Sequence, residues 1–571
     1  MPGPVDKRTP ALPLESGVVL KKGRPRIKIS LVYPNVYRVG MANLGFQAVY
    51  GLANALDDVF CERVFIPSLT SSAASLKTLE TGRFAADADI LAFSLGFEND
   101  YPNVLAVLEA CNIPLLARDR QNGGYPLVLG GGVGAFLNPE PLAPFFDAFL
   151  LGEAEVNLKP FLHMWDPDAS REGLLRMVAF NLHSFYVPAF YTPLYAENRL
   201  TGFAPAAGLP ATLAPAQAAD LGEFDTESRI VSKDTAFDDT YLIETGRGCP
   251  HGCRFCSAAA IYFPPRFRKL AQIQASIGRG VERSGHIGLV GAAVSDFPHL
   301  SDLCPYLETL DARVSFSSFR ADAITDDFLR LLQKSGVKSA TIAPEAGSQR
   351  MRNIINKGLT EEQILAAAAK LARGGVLNLK LYFMIGLPFE TDEDIEAIID
   401  LCRKIQAVFV DESRDLKRLG RISVTISAFV PKPMTPFQWC AMTAMPDIKT
   451  KLRHLKKHID KIPNMTASGD ASKQVLLQGV LARADRRAAD ILLDLHRNGG
   501  NLSQTLKTHR KLAEIFLGGF KAEDRLPWDF LKTGRGKSYL FHEYQKAEWA
   551  ETSGFCPLNR ASCNDCGVCR I

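Results

Sequence analysis

The sequence predicts an α/β protein made of two successive βα series and a mainly helical C-terminal region. Three observations predict it. Short apolar stretches alternate with amphipathic helical stretches from Ile27 to near Tyr195. The alternation resumes near Asp239, and beyond Met445 the strand pattern stops. Strands separated by helices pair in parallel and are covered on both faces.

In chain order, "IKISLVY" reads as a strand and "NLGFQAVYGLANAL" as an amphipathic helix. They are followed by the strands "ERVFIP" and "DILAFSL", the helix "YPNVLAVLEACN", the strands "YPLVLGGG" and "DAFLLGE", and a helix from Glu155. This is a doubly wound, Rossmann-like domain over 27–195, after an N-terminal tail of 1–26. Residues 196–238, rich in Ala and Pro, read as a linker or extended crossing segment. The second series, 239–445, has the strands "TYLIETG", "HIGLVGAA", "RVSFSSF", "SATIAPE", "LNLKLYFMIG" and "RISVTISAFV". Two of its helices, "TDDFLRLLQKSG" and "TEEQILAAAAKLARGG", are closed by glycine. Six βα steps suit an open barrel or a second doubly wound sheet. Residues 446–571 read as helices ending in a cysteine-rich tail.

Hydrophobic residues at 47% and charged residues at 22% mark a globular chain, and a net charge of +4 does not by itself call for nucleic acid or an anionic membrane. No apolar run reaches the roughly 18 residues of a spanning helix, and the N-terminus has no apolar signal core, so the expectation is a soluble, cytoplasmic protein without a membrane partner. In that compartment twelve cysteines are not a disulfide framework. Cys61, Cys111, Cys304, Cys402 and Cys440 stand alone among apolar residues and read as buried small hydrophobes. The other seven fall in two clusters.

The first cluster is "RGCPHGCRFC", with Cys249, Cys253 and Cys256 on one loop after the first strand of the second series. The spacing lets three thiolates converge, and Pro250 and Gly252 favour a tight backbone. A closed zinc site takes four protein ligands, and a four-iron cluster takes one ligand per iron. Three cysteines on four irons leave one iron open, and an open metal position receives a substrate. A zinc knuckle completed from elsewhere, with His251 close by, is the structural alternative. Ligand sites of α/β barrels gather at the carboxyl ends of strands, where this loop lies.

The motif, CxxxCxΦC with Phe255 at Φ, resembles that of the radical SAM superfamily. The resemblance implies a partial (βα)6 barrel, and a 4Fe–4S cluster on Cys249, Cys253 and Cys256 that binds S-adenosylmethionine (SAM) and yields a 5′-deoxyadenosyl radical by one-electron reduction. It implies that Phe255 lies against the adenine. It places Gly291 and Ala292 of "GAAVSD" at the methionyl amine, though the Glu usual in that turn is absent, and Ser318 of "SFSSFRAD" at the barrel mouth. It puts Glu345 of "PEAGSQRMRNIINKG" on the ribose hydroxyls and Ile385 to Pro388 along the adenine. A carboxylate suits a diol because it accepts two hydrogen bonds. A one-electron donor such as flavodoxin or ferredoxin is the implied partner.

The loop "LVLGGGVGAF" formally satisfies GxGxxA, but it follows about the fourth strand rather than the first, and Pro139 and Pro141 interrupt the helix such a fingerprint opens, so a dinucleotide site is rejected. With "LNPEPL" it resembles the cobalamin-binding-like domain of one radical SAM subgroup, where Gly130, Gly131 and Gly132 would let the backbone approach a corrin. The first strand's loop lacks the Asp-x-His-x-x-Gly that supplies a lower axial ligand, and members of the subgroup occur with and without cobalamin. Nearly the whole chain after Arg26 resembles one bacterial group whose substrate is not established.

The tail "GFCPLNRASCNDCGVCRI" offers Cys556, Cys563, Cys566 and Cys569, enough for an auxiliary 4Fe–4S cluster or a structural zinc. The basic helix of Lys449, Lys451, Arg453, Lys456 and Lys457 reads as a solvated face, with an RNA-facing surface as the alternative. The expected function is radical functionalisation of an unactivated carbon, methyl transfer included. The alternatives are an RNA-modifying, methylthiotransferase-like enzyme and a non-catalytic iron–sulfur or zinc scaffold.

Overall fold

The computed structural model describes residues 14–67, 76–121, 123–292, 294–317, 319–414, 420–532, 534–557 and 566. Its N-terminal unit is a six-stranded sheet of β1 (Ile27–Tyr33), β2 (Val59–Phe65), β3 (Ile90–Ser94), β4 (Leu127–Gly131), β5 (Ala148–Leu150) and β6 (Phe185–Tyr186), in the order β2-β1-β3-β4-β5-β6. The first five strands run parallel and β6 pairs antiparallel to β5. Helices α1 (Leu44–Asn54), α2 (Tyr101–Ala110), α3 (Ala154–His163) and α4 (Arg171–Asn181) connect and cover them. The Asn43 side chain caps α1 by accepting from the Phe46 amide at 2.9 Å, which fixes where the helix begins.

Residues 196–238 do more than connect. A hairpin of β7 (Tyr191–Ala196) and β8 (Arg199–Pro205) leads into a crossing stretch whose Ala216 pairs with Gly152 and whose Leu213 pairs with Leu531.

Among the described residues the second unit contains seven parallel strands, not six. The first three, β9 (Thr240–Glu244), β10 (His286–Val290) and β11 (Arg313–Phe316), form one sheet. The next four, β12 (Ser339–Glu345), β13 (Asn378–Ile385), β14 (Arg421–Ala428) and β15 (Met465–Asp470), form another. Among the described residues no ladder joins β11 to β12, so the barrel is open there. β15 corrects the expectation that strands end at Met445. Its sequence MTASGD buries Met465 alone, so its strand state comes from backbone pairing with β14 and not from an apolar pattern.

Outside the strands lie α5 (Leu270–Val281), α6 (Leu300–Thr309), α7 (Asp326–Lys334), α8 (Gln349–Ile354), α9 (Glu361–Arg373), α10 (Asp392–Ser413) and α11 (Met445–Ile459). Leu379, Leu381, Phe383 and Ile385 of β13 join Ile364, Leu371, Ile398 and Cys402 of α9 and α10 in one core. That alternation leaves Lys380, Tyr382 and Met384 on the inner face.

The C-terminal helices α12 (Lys473–Arg483), α13 (Ala488–Arg497), α14 (Leu502–Thr508), α15 (Arg510–Leu517) and α16 (Lys537–Glu548) share a core with the N-terminal sheet. Leu477, Leu481 and Phe530 enter it, and the Phe530 ring lies 4.8 Å from that of Tyr186. The five isolated cysteines are all buried. Among the described residues no helix is long and apolar enough to cross a membrane.

Candidate active site

The cysteine loop opens at the carboxyl end of β9. Gly246–Arg247 pairs antiparallel with Arg266–Phe267 and closes the loop's stem. Gly248 has φ 81°, and a Cβ there would meet the Tyr262 carbonyl at 2.4 Å, so the entry to the loop requires glycine. The stem is held by buried charge. Arg247 pairs with Glu153 at 3.1 Å, with Glu244 at 3.0 Å and with Glu155, while Arg266 reaches Glu153 at 2.6 Å and Arg268 reaches Glu244 at 2.6 Å. Glu153 and Glu155 begin α3, so the stem is tied to the N-terminal unit.

Within the loop, Arg254 is fully buried and donates to the carbonyls of Asn353, Ile354 and Glu551 and to Glu543. It thereby fixes the backbone between Cys253 and Cys256, and the Cys256 amide donates to the Cys253 carbonyl at 3.1 Å. All three cysteines are half-buried and free. Burial, with the neighbouring Cys253 and Cys256, pushes the Cys249 thiol up to about 12, and burial raises Cys253 as well. A ligand ion must therefore displace protons here.

The donor set was tested against the two metal readings. Three thiolates around one zinc ion at about 2.3 Å would stand under about 4 Å apart. Cys249, Cys253 and Cys256 do not gather within 4.8 Å of one another, which fits sulfurs spread over the corners of a cluster. The group that does gather within 4.8 Å is Cys249, His251 and Asp296, with His251 Nε2 at 2.8 Å from Asp296.

Around the loop, the ends of the strands supply polar groups. Glu345 ends β12 at a register shift with φ 66°, a left-handed conformation that a glutamate adopts only at a cost of about 1–3 kcal/mol. Its carboxylate meets Lys357 at 3.2 Å. Burial pushes Lys357 down, but Glu345 and the nearby Cys253 more than offset this and hold the ammonium above its ordinary range. Arg320 donates to the Lys357 and Gly358 carbonyls. Gly291 exchanges hydrogen bonds with the Ser317 hydroxyl at 3.2 Å in both directions, and Ala292 is exposed. Ser318 lies outside the described residues.

Phe255 and Met384 pack against a cluster that includes Ala346, Leu387 and Phe429, at the ends of β12, β13 and β14. Ile385 does not reach this cluster. Its side chain points outward into the helical core and is 1% exposed, whereas its neighbour Met384 packs against the same cluster as Phe255. The inward phase of β13 is thus one residue from that expected for Ile385. Pro388, half-buried, follows Leu387 at the rim.

The C-terminal tail lies along the loop. The Cys556 amide donates to the Pro250 carbonyl at 2.9 Å, and the Ser553 amide donates to Asn356, whose side chain donates to the Gly252 carbonyl. The Phe555 ring meets His251 edge-on at 4.4 Å and lies against Gly358. Cys556 and Cys566 are half-buried; Cys563 and Cys569 lie outside the described residues.

In the glycine run of the N-terminal unit, two of the three glycines make room for other groups of the chain. A Cβ on Gly130 would meet the Phe149 and Phe146 rings at 2.5 and 3.1 Å, and one on Gly132 would meet the Leu95 carbonyl at 2.8 Å. Only Gly131 has ordinary clearance, with its nearest neighbour 3.6 Å away. At Gly130 and Gly132 the missing side chains are accounted for by internal packing. The Phe136 ring of the same loop packs directly against Tyr262.

Sequence reasoning found the three thiols, Phe255 and Glu345. It gave no role to Lys357 or Asp296, although both stand in the quoted stretches "PEAGSQRMRNIINKG" and "GAAVSD", and none to Arg247.

Residues 45–188 match the family described as radical SAM proteins, N-terminal, and residues 243–402 match the radical SAM superfamily, together more than half of the chain. The chain belongs to the radical SAM superfamily. A radical SAM domain implies a 4Fe–4S cluster and SAM, and the thiols of this radical SAM protein fit that cluster. It is 29% identical to an uncharacterized protein of Methanocaldococcus jannaschii over 88% of this chain and 97% of that one. It is 26% identical to the tRNA-2-methylthio-N(6)-dimethylallyladenosine synthase of Carboxydothermus hydrogenoformans, over 28% of this chain and 39% of that enzyme. The chain thus spans about two fifths of that relative's length. Among solved structures it resembles the cobalamin-dependent SAM radical enzyme OxsB with aqua-cobalamin and SAM bound. The TM-score is 0.46 and the identity 12%, over 91% of this chain and 79% of that one. It also resembles the radical SAM methyltransferase TsrM from Kitasatospora setae, with TM-score 0.45 and identity 14%, over 70% of this chain and 72% of that one.

Proposed function

We propose that this radical SAM protein functionalises an unactivated carbon of a substrate held at the barrel mouth, methyl transfer being one outcome of that chemistry. One observation carries the reading. Three half-buried thiols share a single loop at the carboxyl end of β9, and the strained Glu345 stands at the same opening. Cys249, Cys253 and Cys256 would hold the cluster. When bound with SAM, it supplies one-electron cleavage of the sulfonium and a 5′-deoxyadenosyl radical.

The chain's own residues hold and shield. Arg254 locks the loop's backbone, so the thiols keep their spacing without a metal. Glu345, anchored by Lys357, presents carboxylate oxygens that can accept from a ribose diol. Phe255 and Leu387 make an apolar wall, and Phe555 covers His251, which together restrict water at the opening. A reactive intermediate needs such a dry site.

A second reading, modification of a tRNA base, is favoured by the partial similarity to methylthio-adenosine synthases. The primary test is oxygen-free reconstitution with iron and sulfide, dithionite reduction and assay for 5′-deoxyadenosine from SAM. Product is expected from the wild type and not from Cys253→Ala. A zinc-saturated, inert protein would refute the radical reading. Adding tRNA and finding no modified adenosine would remove the second.

A further inference from the structure

The inner face of β12–β14 differs from a filled barrel. Such interiors are packed with branched apolar side chains. Here alternation turns Asn378, Lys380 and Tyr382 inward from β13, and all three are exposed, Tyr382 at 37% although its strand lies between two others. From β14 the inward residues are Arg421, Ser423, Thr425 and Ser427. Register sets Lys380 beside Ser423, Tyr382 beside Thr425, and Asn378 beside Arg421. Lys380 and Arg421 are therefore diagonal neighbours on adjacent strands, close enough for long side chains to meet.

Among the described residues neither cation has a hydrogen bond or ion pair from its side chain. The inward positions around them, Thr341, Asn378, Ser423 and Thr466, are all neutral. The acids of this face, Glu345 and Asp470, sit at the opposite, carboxyl end of the strands. Two like charges side by side with no counter-charge among the described residues cost stability, and an ordinary solvated rim does not explain an exposed tyrosine above them.

We propose that this face receives the substrate, and that the substrate is an extended small molecule with an anionic end. A phosphate or carboxylate seats between Lys380 and Arg421. A hydroxyl- or ring-bearing body lies over Tyr382, Ser423 and Thr425, and the reacting end reaches Met384 and Phe255 at the mouth. Four residues of strand separate Lys380 from Met384, so the molecule spans about 13 Å. This inference rests on the radical SAM reading of the mouth for which end reacts, but the binding it predicts does not need the cluster.

The test uses the full chain, purified without oxygen and equilibrated with a protein-free metabolite extract of the cells that make it. Retained compounds are separated by ultrafiltration and identified by mass spectrometry. Wild type is expected to retain an anionic small molecule. Lys380→Gln with Arg421→Gln should cut retention about tenfold or more. Lys380→Arg should restore it, and Lys511→Gln, an exposed lysine of α15, should leave it unchanged. Pre-treating the extract with alkaline phosphatase distinguishes the anion: retention lost means phosphate, retention kept means carboxylate. Circular dichroism of each variant separates lost binding from lost folding. Retention of neutral compounds only, of RNA fragments only, or equal retention by the double variant overturns the inference. Parallel assay of SAM cleavage shows separately whether the reading of the mouth has failed.

Discussion

Arg247, at the root of the cysteine loop, reaches out of the barrel to Glu155 in the first turn of α3, with Nη1 at 3.2 Å from Oε2. The same guanidinium contacts Glu153 and Glu244, and all four side chains are largely shut from water. The N-terminal unit is thus part of what holds the thiols, although it supplies no ligand. Burial alone would lower the Arg247 pKa, but Glu244 and Glu155 more than offset it and keep the cation charged.

Arg247→Gln is therefore expected to unfold at lower denaturant, because it leaves Glu155 buried without a cation and weakens two further pairs. Removing one partner of a buried pair costs about 3–5 kcal/mol. Denaturation of the metal-free protein measures this. The same variant should take up less iron on reconstitution, since the loop's stem is released. Wild-type stability together with full iron content would show that the tether is passive.

Glu345 combines a strained backbone with a half-buried ion pair, and this combination predicts a specific split. Glu345→Gln keeps size and conformation but loses charge. SAM affinity should fall about tenfold while iron content stays at the wild-type level. Equilibrium binding of SAM to the reconstituted protein, with iron analysis of the same samples, checks it. A loss of iron in parallel would instead make Glu345 a residue that supports the loop.

The tail contact can be broken without touching a thiol. Phe555→Ala removes the ring that covers His251 and Gly358, and leaves the Cys556 amide free to keep its bond to Pro250. Bleaching of the cluster's visible absorbance in air should be several times faster than in wild type, because water and oxygen gain access. An unchanged bleaching rate would show that the ring does not shield the opening.

Parts of this arrangement were legible in the sequence for physical reasons. The strands β9 to β14 each carry outward apolar residues at alternate positions, which the helices demand, so each declares itself locally. The thiols are legible because three ligands of one loop must be close in sequence. Ile385 and Met384 show the limit: alternation gives two faces but not which one looks inward, and here Ile385 takes the outer face. Lys357 and Asp296 stand in the quoted stretches, but only topology brings them beside Cys253 and Cys249. Sequence alone does not separate two roles of a glycine: Gly130 makes room for Phe146 and Phe149, and in sequence it looks like one that makes room for a ligand.

Asp100, at the start of α2, is buried and accepts from Asn35 at 2.8 Å. Burial raises its carboxyl to about 6, against an ordinary value near 3.8, and Asn35 only partly opposes this. Buried Glu98 stands in the same turn. A folded-state value above the unfolded one means that the folded chain binds the proton more tightly. The ionised form then costs stability above about pH 6, and that cost disappears as pH falls through 6 towards 4. Asp100→Asn removes the titration while keeping the shape and a polar partner for Asn35. The variant should melt at a higher temperature than wild type at pH 7.5, and the gap should narrow by pH 5. Thermal unfolding at the two pH values decides it. A gap that is constant, or that widens towards pH 5, would show that Asp100 is stabilised as the anion and that its hydrogen bond with Asn35 outweighs its burial.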